Sequence, residues 1–224
     1  MGETIMKTNE ELQKDVQNAI KWEPLLNAAE IGVTAEDGVV SLTGVVDSYP
    51  KKLEAENAAK NVAGVKAVVE NIEIKLSSLW NKSNVDIANE VITALKSNWV
   101  VPKDKVKVKV EDGWISLVGE VPWNYQKEAA KKAVTYLSGV TGVTNNIKIK
   151  SETHDEIEKE KVELAFSRNW SLISQDVKVK VSGTNITLTG TVSSWYQKEE
   201  AGRIAWNTPG VWVVDNELVV EYKN

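Results

Sequence analysis

The chain has no cysteine and one histidine among its 224 residues. Without thiols there is no disulfide, no thiolate nucleophile and no thiolate metal site. The lone His154 leaves a histidine metal centre or a Ser-His-Asp arrangement with almost nothing to draw on. It stands beside Asp155, Glu156 and Glu158, but one imidazole in a solvated connection does not make a metal site. No stretch approaches the roughly 20 apolar residues of a transmembrane helix. The start, "MGETIMKTNEELQKDV", is polar and carries no apolar export core. The expectation is a cytoplasmic protein, or a periplasmic one where the true N-terminus has been removed. There is no Gly-rich phosphate loop, and "EDG" at 36–38 and 111–113 reads as a hairpin turn rather than a calcium loop. No carboxylate pair stands out from the ordinary surface charge of helices. These absences predict a protein with no catalytic residues, no metal and no cofactor.

What the chain does have is repetition. "GVVSLTGVVDSYPKKLEAENAAKNVAGVKAVVENIEI" (38–74), "GWISLVGEVPWNYQKEAAKKAVTYLSGVTGVTNNIKI" (113–149) and "TNITLTGTVSSWYQKEEAGRIAWNTPGVWVVDNELVV" (184–220) align without a gap. Gly44, Gly119 and Gly190 coincide, as do Lys52, Lys127 and Lys198, and Gly64, Gly139 and Gly210. The period of about 70–75 residues is too long for a solenoid and suits a small domain. We expect a leader over 1–8 and repeats over 9–76, 83–150 and 154–222.

Each repeat opens with helical spacing, as in Leu12, Val16, Ala19 and Ile20, or Ile87, Val91, Ala94 and Leu95. Strict alternation follows: "KVKVKV" puts Val106, Val108 and Val110 on one face and Lys105, Lys107 and Lys109 on the other. A turn, a second strand, a second helix and a third strand complete the unit. One face of each sheet is polar, so both helices must cover the other. The fold class is α+β: three tandem αββαβ two-layer sandwiches, each a three-stranded mixed sheet with two helices on one face. Gly44, Gly119 and Gly190 sit at strand positions where the backbone must be approached closely. Gly64, Gly139 and Gly210 fall where a helix C-cap is expected.

The run V-x-L-x-G-x-V, a helix with paired alanines and then G-V-x-x-V resembles the BON domain (bacterial OsmY and nodulation). It runs from Val40–Gly44 to Val65–Val68, from Ile115–Gly119 to Val140–Val143, and from Ile186–Gly190 to Val211–Val214. The resemblance implies a non-enzymatic module. Members of the family are associated with the bacterial envelope, osmotic stress, phospholipid surfaces, chaperone-like activity and channel-linked domains. A cytosolic relative joined to a LysM module binds potassium. The expectation is a stress-related binding or scaffold protein that engages an anionic phospholipid surface or a protein partner. A potassium-binding module and a self-associating structural protein are the alternatives.

The candidate binding residues are aromatic and basic. On the second helices, Trp123, Tyr125 and Tyr136, and Trp195, Tyr196 and Trp206, lie off the apolar stripe of their own unit. Exposed aromatics mark contact, either with neighbouring repeats and further copies or with a membrane interface or client. Trp114, on the open sheet face, occurs only in the middle repeat, where Val39 and Asn185 are its counterparts. Trp22, Trp99 and Trp170, at the end of each first helix, read as lids on the core. Net charge is −5 over 1–80, +4 over 81–151 and −4 over 152–224. In the basic middle unit Lys103, Lys105, Lys107 and Lys109 line an open sheet face. It is a solvated face whose lysines discourage aggregation, a surface for anionic lipid, or a complement to the acidic flanking units within one chain or between chains. With an overall pI near 5.2, nucleic acid is not an expected partner.

Overall fold

The computed structural model describes residues 7–76, 82–150, 157, 159–168 and 176–221, so His154 and Trp170 lie outside the described residues. The first repeat runs α1 (Asn9–Trp22), β1 (Ile31–Glu36), β2 (Val39–Val46), α2 (Tyr49–Lys60) and β3 (Ala67–Ile74). The second runs α3 (Asn84–Ser97), β4 (Val106–Glu111), β5 (Trp114–Val121), α4 (Asn124–Thr135) and β6 (Gly142–Ile149). The third runs α5 (Lys159–Ser167), β7 (Asp176–Ser182), β8 (Asn185–Val192), α6 (Trp195–Trp206), β9 (Val213–Asn216) and β10 (Val219–Val220).

Local chemistry sets the helix starts. Thr8 accepts the Glu11 N–H at 3.2 Å while the Glu11 carboxylate takes the Thr8 N–H at 2.9 Å, a reciprocal cap. Ser83 caps α3 through the Asp86 N–H. In every sheet the middle strand pairs antiparallel with its predecessor and parallel with its successor. The parallel pair is joined through the second helix, as a β-α-β crossover requires. The expected α+β sandwiches are what the chain forms. The third repeat departs in one respect: its last strand is interrupted at Glu217 and Leu218, and Leu218 drops into the core while β9 and β10 both pair with β8.

Gly44, Gly119 and Gly190 have φ values of 138°, 153° and 114°. A Cβ there would lie 2.0, 2.0 and 1.7 Å from the carbonyl oxygens of Glu30, Lys105 and Asp176. The close approach inferred from the repeats is therefore between the second strand and the chain entering the first. Each repeat builds its own core, around Val40 and Leu42, Ile115 and Leu117, and Ile186 and Leu188. Each such fully buried aliphatic contributes about 1.5–3 kcal/mol.

The reading of Trp22 and Trp99 as core lids is overturned. They are 84% and 94% exposed. Trp22 follows Ile20 by two residues, so it points away from the Leu12–Val16–Ile20 stripe. Trp99 would continue the Ile87–Val91–Leu95 stripe, but α3 stops at Ser97 and Asn98 is extended. Val101 enters the core instead.

The repeats also contact one another, head to tail. Tyr49 at the start of α2 packs on the core of the second repeat and hydrogen-bonds the backbone of Val143. Trp206 near the end of α6 packs on the cores of both the second and third repeats. Trp195 at the start of α6 donates its indole N–H to the carbonyl of Val65 in the first repeat, at 3.1 Å. First touches second, second touches third and third touches first, so the chain closes on itself with one large ring at each seam.

Candidate binding surface

The middle repeat carries most of the candidate residues, and its strands divide them. Lys107 and Lys109 project from β4 on the open face, with Lys109 paired to Glu111 at 2.8 Å. Lys103 and Lys105 precede the strand, in the loop that also holds Trp99. Two of the four lysines thus stand on the strand, and two lie in the loop that leads into it. All four are exposed. Lys96, on the last turn of α3, lines a shallow cleft together with Lys103 and Lys107.

Trp114 lies flat on the sheet. Its indole N–H donates to the Thr144 hydroxyl at 2.9 Å, and a Cβ on Gly142 would meet its ring at 2.4 Å. Gly142 is the cross-strand partner of Trp114, and Ala67 and Val213 take that place in the other sheets. The ring is half exposed, at 49%.

The helix-two aromatics are split between contact and solvent. Trp195 is half-buried at the third-to-first seam, where Lys198 Nζ lies 5.4 Å from its ring centroid. Trp206 is half-buried at the second-to-third seam. Trp123 occupies the N-cap position of α4, where its backbone N–H donates to the Gln126 side chain at 3.2 Å, and its ring stacks with Tyr125, with centroids 6.4 Å apart and planes at 24°. Tyr125, Tyr136 and Tyr196 are more than half exposed. Tyr49 was missed as a contact residue. The alignment offered one signal, because Tyr49 stands at the position of Trp195.

The BON domain model matches this chain three times, over residues 8–75, 83–151 and 154–222. The chain belongs to the BON domain family. Osmotically-inducible protein Y of Escherichia coli (strain K12) is 28% identical over 129 residues, covering 56% of this chain and 64% of that protein. The match thus spans less than two thirds of that relative's length. Among solved structures, the C-terminal domain of CdsD, a structural protein of the Type III secretion system of Chlamydia trachomatis, covers 96% of this chain and all of its own at 16% identity and TM-score 0.26. A periplasmic fragment of PrgH from S. typhimurium covers 86% of this chain and 99% of its own, at 10% identity and TM-score 0.20. At such scores neither carries an argument about this chain.

Within the BON repeats, the fourth residue of the strand after the second helix ties strand to helix. In the second and third repeats Asn145 and Asn216 donate to the carbonyls of Lys127 and Lys198, at 2.9 and 2.7 Å. In the first, Glu70 replaces the amide and Lys52 turns its ammonium inward, 2.8 Å from Glu70 and 2.8 Å from the carbonyl of Ile72. This accounts for Lys52 structurally, whereas Lys127 and Lys198 contribute backbone. Burial pushes the Glu54 carboxyl up, and the adjacent Glu23 adds to it. Burial also pushes the Tyr49 phenol up, against the Val143 hydrogen bond. Among the described residues no helix is long and apolar enough to cross a membrane.

Proposed function

We propose that this BON protein is a non-enzymatic binding protein, linked to osmotic stress, that docks on anionic phospholipid surfaces through its middle repeat. The observation that carries the reading is the loop after α3. Trp99 is 94% exposed there and is followed in the same loop by the exposed Lys103 and Lys105. Indole rings favour the half-wet membrane boundary, and each lysine near an anionic surface contributes on the order of 1 kcal/mol. Trp22 recurs at the corresponding place in the first repeat and supplies a second exposed ring. The net charge of +4 over residues 81–151, between acidic neighbours, orients the middle repeat toward such a surface. The name of the similar protein, Osmotically-inducible protein Y, supports the link to osmotic stress.

Co-sedimentation with phosphatidylglycerol and phosphatidylcholine vesicles tests this. Binding and a blue shift in tryptophan emission are expected with the anionic vesicles alone, weakening as salt rises. Trp99→Ala or the pair Lys103→Gln and Lys105→Gln should reduce binding about tenfold, with folding unchanged. Absence of pelleting and of any shift at low salt would end the reading.

A further inference from the structure

All three repeats meet at a cleft of about 670 Å³ that neither the family nor the membrane reading accounts for. Leu53 of the first repeat and Arg203 and Asn207 of the third face the long side of α4 in the second. Along α4 and its C-cap the cleft wall presents Tyr125, Glu128, Lys132 and Tyr136, spaced by three or four residues and so on neighbouring turns of one flank, with Lys131 beside Lys132. At its base lies Thr135, the buried polar residue among those described, whose hydroxyl donates to the Lys131 carbonyl.

The charges in this cleft differ from those at the matching positions of the other second helices. Where α4 has Lys131 and Lys132, α2 has Glu56, paired with Lys60 at 2.6 Å, and Asn57, while α6 has Gly202 and Arg203, the latter neutralised by Glu200 through two hydrogen bonds. On α4, Lys131 and Lys132 have no ion pair among the described residues, although Glu128 lines the same wall. The cleft is therefore lined by two cations without an ion pair among the described residues, by Arg203, and by Asn124 and Asn207. An exposed tyrosine ring closes each end of the stretch.

We infer that this three-repeat junction is an anion site for a small phosphate-bearing molecule. Two such ammonium groups and nearby amides suit phosphate oxygens. The flanking Tyr125 and Tyr136 rings favour a phosphate attached to a flat base, as in a nucleoside monophosphate. The site needs the closed arrangement, because no single repeat supplies both walls.

Calorimetric and amide-shift titrations of the full chain with adenosine monophosphate, glycerol 3-phosphate and inorganic phosphate test it. The expected result is binding that weakens at least about tenfold in the pair Lys131→Gln and Lys132→Gln, with the unfolding midpoint unchanged. Shifts should centre on Tyr125, Lys132, Tyr136 and Asn207. Tighter binding of the monophosphate, lost in Tyr136→Ala, identifies a nucleotide-type ligand. Lysine-dependent binding of glycerol 3-phosphate that Tyr136→Ala leaves unchanged supports the phosphate site and assigns it to a lipid headgroup. No binding of any of the three, or binding indifferent to the lysine changes, overturns the inference.

Discussion

The indole N–H of Trp195 donates to the carbonyl of Val65 across 130 positions of chain, tying the third BON repeat to the first. With Tyr49 on the second repeat and Trp206 between the second and third, it closes the chain on itself. The large ring is not at one repeat position throughout: Asn124 replaces it at the start of α4, and Trp206 supplies the bulk from the facing repeat.

Removing a seam ring should uncouple repeats without dissolving their individual cores. Trp195→Ala is expected to cost about 2–3 kcal/mol, and Trp195→Phe, which keeps the ring but loses the hydrogen bond, about 1 kcal/mol. Urea unfolding should then show a lower m-value as the third repeat melts separately. An unchanged midpoint and slope would mean that the seam contributes nothing.

Gly119→Ala should be among the most damaging single methyl additions in this chain. The new Cβ meets the Lys105 carbonyl oxygen at 2.0 Å, both partners are backbone, and φ is unfavourable for an L-residue. A loss of about 3 kcal/mol or more is expected by thermal or urea unfolding, with Gly44→Ala and Gly190→Ala behaving alike in their own repeats.

Trp114 and Gly142 should behave as one unit. Gly142→Ala alone drives a methyl into the indole and should cost about 1–2 kcal/mol. Adding Trp114→Val recreates the Val39 and Ala67 pairing of the first repeat and should recover most of that. A double-mutant cycle with coupling below about 0.5 kcal/mol would refute the pairing.

The Glu54 carboxyl is raised by burial and by Glu23, so the folded state binds more protons than the unfolded state just above the ordinary glutamate range. Its contribution is therefore fully favourable below about pH 4.3 and is lost as pH rises through the folded value. Glu54→Gln should stabilise the protein at neutral pH by about 0.5 kcal/mol, given its partial solvation. That gain should vanish on acidification, as read from unfolding midpoints across pH 3.5–7.

Much of the architecture was legible because periodicity reports burial directly. The alternation in "KVKVKV" and the stripe Ile87–Val91–Leu95 each name a face, and three aligned copies reinforce every assignment. Trp22 and Trp99 were misjudged because repetition was taken for burial. Whether a residue past the stripe reaches the core depends on where the helix stops, which caps decide to within a residue or two. Trp114 was correctly set apart, but its partner Gly142 is 28 positions away and only strand register brings them together.

From the sequence alone came the family, the three units, their order of elements and the charge of each, since these depend on local pattern and composition. Tertiary structure decided which aromatics are spent on seams, which stand exposed at Trp99 and Trp22, and that Lys131 and Lys132 of α4 line the junction of three repeats. The reason is physical: a helix's outer face has no periodic signal for what lies against it. Only the closure of the chain on itself determines which of those side chains meet water.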